Sequence, residues 1–230
     1  MPIGARVGDF PRMILVLIVI GVAIVVGLVA GGSLRRFERV NVHWWGVALA
    51  GLLLQGVSLT GRIPAPIGSI ALLGSYGLLL AFALVNRRLP AVWLMIAGLA
   101  LNVLVIAVND GMPVSAGALE AAGAGAESLL GAGTGKHHVM GPEDTLTPLA
   151  DVIGVPAPIG AVISIGDVLL YAGIAILIVA IMLGRSGENP RPPARWFPGY
   201  RGKHLPPELR FSRPNRPETP EGEESWGSGP

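Results

Sequence analysis

Cysteine is absent from the 230-residue chain, which excludes disulfides, thiolate metal sites, iron–sulfur clusters and a cysteine nucleophile. Charge is scarce as well. Only 14% of residues are Asp, Glu, Lys or Arg, against about 25% in an ordinary soluble domain. With 51% of residues hydrophobic, the apolar surplus has no place in a water-surrounded globule, which argues against a soluble enzyme. Catalytic signatures are missing too: there is no Walker A motif, GxSxG elbow, HExxH pair or dinucleotide-binding fingerprint. No nucleic-acid-binding fold accompanies the basic residues, so no nucleic-acid partner is expected.

What is present is a set of long apolar runs, each near the ~18–20 residues a helix needs to cross a ~30 Å hydrocarbon core. Five spans are predicted: Met13–Ala30, Val42–Thr60, Ile67–Val85, Ala91–Val108 and Ile159–Leu183. Pro66 and Pro90 sit near helix starts and Gly184 at a helix end, the usual punctuation. Backbone groups in lipid must be satisfied within their own segment, so the fold class expected is all-α, a five-transmembrane-helix bundle. The first run exceeds the 7–15 residues of a signal-peptide core and reads as a retained span.

Placement of the basic residues orients the chain. Arg35, Arg36, Arg39, Arg87, Arg88 and eight more after residue 184 fall on one side; Arg6, Arg12, Arg62 and Lys136 fall on the other. Thirteen against four puts residues 1–12 outside and the C-terminus in the cytoplasm. Residues 185–230 hold no periodic apolar pattern and are expected to form a disordered cytoplasmic tail, whose basic part, Arg185–Arg216, suits anionic lipid or a cytoplasmic partner. Residues 109–158 form a long non-cytoplasmic loop, in which Ser115–Leu130, with Glu120 and Glu127 on one face, reads as a surface or re-entrant helix.

Small residues recur at four-residue spacing at Gly27/Gly31, Gly46/Ala50 and Ala180/Gly184, a pattern suited to close helix packing. Ala50–Gln55 (AGLLLQ) also resembles Ala97–Asn102 (AGLALN), as a duplication of two outward-running helices would produce. Gln55 and Asn102 are then carboxamides at matching depth, either interhelical glue or the floor of a polar pocket.

Asp167 is the one carboxylate inside an apolar run. Ser164 three residues earlier gives capping-box spacing, with Ser164 as N-cap and Asp167 at the positive end of the helix dipole. His137 and His138 are neighbours in the Gly-rich loop, with Asp144 and Asp151 following; adjacent His residues lack a helical metal-ligand spacing, and no metal or cofactor is expected. If there is a functional site, it is predicted at the outer mouth of the bundle. There Asn109, His137, His138 and Asp167 converge with Asp144 or Asp151, above Gln55 and Asn102. The length of the intervening loop supports this, since loops of that size are usually functional or disordered.

Residues 109–115 (NDGMPVS), Lys136-His137-His138, Asp144-Thr145 and Ser164–Asp167 (SIGD) resemble the bacterial membrane family DUF5317 over roughly residues 13–184. That family usually has Gly where Asp110 stands. The resemblance implies a polytopic protein of the bacterial inner membrane; it brings no activity and no established site. From the residues, the function expected is that of a non-enzymatic membrane component, a sensor, assembly factor or partner-binding subunit. The alternative is a small-solute or ion transporter, or a membrane-embedded enzyme, with an outward-facing polar pocket.

Overall fold

The computed structural model describes residues 9–58, 65–123 and 137–185. The N-terminal residues before Asp9 and the tail after Arg185 lie outside the described residues. Five apolar helices carry the architecture: α1 (Asp9–Val29), α2 (Trp45–Ser58), α3 (Ala65–Val85), α4 (Val92–Val108) and, after a short α5 (Ala116–Ala121), α6 (Ile165–Met182). Among the described residues three stretches are long and apolar enough to cross a membrane, Pro11–Val29, Ile67–Val85 and Ile165–Met182. The apolar helices Trp45–Ser58 and Val92–Val108 are shorter.

Among the described residues the main packing runs in a row. α2 lies against α3, α3 against α4, α4 against α6, and α6 against α1. Glycines set the closest approach. A Cβ on Gly98 would lie 2.4 Å from the carbonyl oxygen of Gly166, and one on Gly173 would lie 2.5 Å from Met95 Cγ, so α4 and α6 meet backbone to backbone. Gly27 admits the side chain of Met182 in the same way. With Arg12 beside Asp167 at one end and Gly27 beside Met182 at the other, α1 and α6 run parallel.

The Met182 end is closed by polar backbone contacts. The Arg36 guanidinium and the Ser33 N–H (2.9 Å) both donate to the Met182 carbonyl, satisfying an orphan acceptor at the α6 C-terminus. Asn86, buried at the end of α3, donates to the His43 carbonyl and accepts from its N–H, both at 2.9 Å, and so pins the segment before α2.

The fold is mostly helical, as expected, and the connection from α4 to α6 departs from an all-helical one. Among the described residues it contains four short strands: β1 (Met112–Val114) parallel to β2 (His137–Val139), and β3 (Ile153–Val155) antiparallel to β4 (Ala161–Ile163). The expected fifth span, 159–183, is helical only from Ile165, because β4 occupies its first residues. Of the helix expected over residues 115–130, α5 accounts for Ala116–Ala121, and residues 124–130 lie outside the described residues. These elements form a cap with an apolar interior of Val114, Ala118, Leu119, Ala122 and Val162. Met112 and Ala150 carry that interior into the helices, packing with Leu72, Tyr76, Leu99, Val105 and Ile106.

Candidate functional site: a buried charge cluster under the cap

Ser164 is the N-cap of α6. Its Oγ accepts from the Asp167 N–H (3.0 Å), while Asp167 Oδ2 accepts from the Ser164 N–H (3.3 Å), closing the capping box in both directions. The close approach of α4 brings Asn102 onto the same helix start. Asn102 Nδ2 donates to Asp167 Oδ1 and Asn102 Oδ1 accepts from Ser164 Oγ, each at 2.8 Å. The carboxamide thus matches one donor and one acceptor, and all three side chains are buried.

Two further segments converge here. Arg12, in the first turns of α1, places Nη1 3.6 Å from Asp167 Oδ2 and donates through Nη2 to Asp151 Oδ2. Asp151 is fully buried and its backbone belongs to the cap: its N–H donates to the Pro113 carbonyl and its carbonyl accepts from the Ser115 N–H, beside β1. His137, from β2, brings Nε2 to 3.5 Å from Asp151 Oδ2. One guanidinium therefore links two carboxylates, one in the cap and one at the α6 start. A buried charge is costly unless paired and hydrogen-bonded, and here pairing joins segments more than a hundred residues apart.

A second polar group lies in the cap. His138 Nε2 is 2.8 Å from Asp144 Oδ1, and the Gly141 N–H donates to Asp144 Oδ2 at 2.7 Å. The Gly141 N–H, and after it His138, hold the Asp144 carboxyl below the usual carboxylate range against the opposing effect of burial. Asn109 ends α4 and pairs its side-chain amide with the backbone of Thr145, accepting from its N–H at 2.8 Å and donating to its carbonyl at 3.0 Å.

The sequence-predicted pocket is therefore divided. Asn102, His137, Asp151, Ser164 and Asp167 share one buried cluster, whereas Asn109, His138 and Asp144 fasten the cap loop separately. Gln55 stands apart: it is half-buried on α2, which packs mainly on α3, and among the described residues it joins neither group. Among the described residues there is also no group of three or more metal-ligating side chains.

Sequence reasoning missed Arg12, which counted only as a charge for orientation. Its one signal is position, a basic residue at the head of a long apolar run. Nothing in the sequence singled out Asn86 either, although it bridges to the segment before α2.

The family model of the family of unknown function DUF5317 matches residues 37–179. The chain belongs to DUF5317. The matched span contains every residue of the cluster except Arg12, which α1 supplies from outside it. No curated protein and no solved structure matches the chain.

Proposed function

We propose that this DUF5317 protein is a five-span component of the bacterial inner membrane, with its N-terminus outside and its C-terminus in the cytoplasm. Its role in this reading is non-enzymatic: it presents the cap, closed on the helices, to a partner on the outer side. The parallel course of α1 and α6 supports the five crossings, since α2, α3 and α4 alternate between them. The basic side chains Arg35, Arg36, Arg39, Arg87, Arg88 and Arg185 gather at the helix ends away from the cap, which supports the orientation. Apolar side chains exposed along α1, such as Leu17, Val22 and Val25, suit contact with lipid.

One observation carries the functional reading. The buried charges at the cap end pair with one another across α1, α6 and the cap, as expected of a fastening; a solute pathway needs ionisable groups that water and substrate can reach. The alternative, a transporter or embedded enzyme with an outward pocket, draws on the same residues and predicts that they are wet.

The absence of native cysteine makes the test direct. Single-cysteine variants Ser164→Cys and Ile153→Cys are labelled in intact cells with a membrane-impermeant maleimide. The proposal predicts that Ile153→Cys, at an exposed cap position, is labelled and that Ser164→Cys is shielded until the protein is unfolded. Ready labelling of Ser164→Cys would establish the outward-pocket reading instead, and an unlabelled Ile153→Cys would overturn the orientation. Photo-crosslinking from position 153 then asks whether the cap meets one discrete partner.

A further inference from the structure

We propose that His137 and Asp151 form a proton-binding site that ties the cap more tightly to the helices at mildly acidic external pH. The inference rests on the reading that the cap is closed on the helices, and goes beyond it in assigning the cluster a ligand. An imidazole is the side chain whose charge ordinarily changes between pH 5 and 8, and His137 Nε2 faces Asp151 Oδ2 at 3.5 Å. Asp151 also receives Arg12, so the carboxylate joining the cap to α1 is the one the imidazole faces.

The other groups facing this point set the sign. Asp167 at the α6 start contributes a second carboxylate, 3.6 Å from Arg12 Nη1. Tyr171, on the same helix, lies within electrostatic reach of Asp167, Arg12 and Asp151, and of Tyr76 on α3; phenols carry no charge between pH 5 and 8. Asn102, from α4, is neutral and bonded to Asp167. The described charges meeting here are two carboxylates and one guanidinium, and an imidazolium adds a second positive charge. Burial of the imidazole opposes its charging; in this proposal the facing Asp151 carboxylate outweighs that cost, so that protonation of His137 favours the docked cap. A proton held more tightly by the docked form stabilises it at low pH, and that gain is lost as pH rises.

The full chain, purified into nanodiscs of zwitterionic lipid, is compared at about pH 5.5 and about pH 8 by thermal unfolding and by hydrogen exchange. The wild type is expected to melt about 3 °C higher at the acidic pH, with slower exchange at Met112–Val114 and His137–Val139. His137→Gln is expected to abolish both differences. His138→Gln, which removes only the half-exposed imidazole paired with Asp144, is expected to keep them. Equal pH dependence in His137→Gln and wild type overturns the proposal, and so does a pH dependence lost in His138→Gln instead. If His137→Gln does not fold, wild-type exchange at β1 decides alone: protection that fails to rise at the acidic pH overturns it. A flat profile together with a shielded Ser164→Cys defeats this inference and leaves the closed-cap reading standing.

Discussion

Arg12 and Asp110 illustrate how far single residues can be read. The need for pairing is visible at Arg12, because a guanidinium at the head of an apolar helix is costly unless it meets an acid. Which acid it meets depends on how α1 packs, 139 residues away in sequence from Asp151. Asp110 shows the opposite case. It has φ +51°, a left-handed conformation costly for most side chains and freely open to Gly, the residue that the resemblance led us to expect there. Asp tolerates that region better than bulky residues do. Asp110→Gly is therefore expected to stabilise the protein by about 0.5 kcal/mol, and Asp110→Val to destabilise it by at least about 1 kcal/mol. Thermal unfolding of the two variants beside the wild type checks both signs.

Elements were legible where hydrophobic runs are long and obscure where they are short. The apolar runs foretold α1, α3 and α4 to within a few residues, because helix formation there depends on local composition. The cap strands have three residues each, too short for an alternating pattern to emerge, and β1 and β2 pair across the intervening segment. The similar stretches around Gly51 and Gly98 are only partly alike in space. Each glycine admits the next apolar helix, but a Cβ on Gly51 would come no nearer than 3.1 Å to the Leu79 side chain and 3.2 Å to the Ser75 carbonyl oxygen, whereas one on Gly98 would run into the α6 backbone. Asn102 lies buried in the cluster while Gln55 does not join it. A Cβ on Gly166 would fall 2.1 Å from Asn102 Oδ1, at the centre of the network. Gly166→Ala is accordingly expected to cost about 2–3 kcal/mol, and Gly51→Ala less than half as much. Denaturation of both variants in one detergent would test the contrast; equal costs would mean that α4 and α6 have slack.

At the scale of the whole molecule, the central claim is that Arg12 and Asp151 fasten a folded cap to a row of apolar helices. The candidate residues were legible as chemical types, since intramembrane carboxamides, a capping-box aspartate and loop histidines all stand out from their surroundings. Their division into a buried cluster and a separate cap-loop group was not, because it follows from the 2.4 Å limit at Gly98 and from the register of β1 on β2. Removing one partner of a buried ion pair costs about 3–5 kcal/mol, largely through the charge left behind. The most direct measurement is a double-mutant cycle on Arg12→Met and Asp151→Asn, read by reversible unfolding of the full chain. The account predicts that each variant alone is strongly destabilised and that the double variant loses less than their sum, with a coupling of at least about 1 kcal/mol. Additive losses, or an Arg12→Met variant as stable as the wild type, would contradict it.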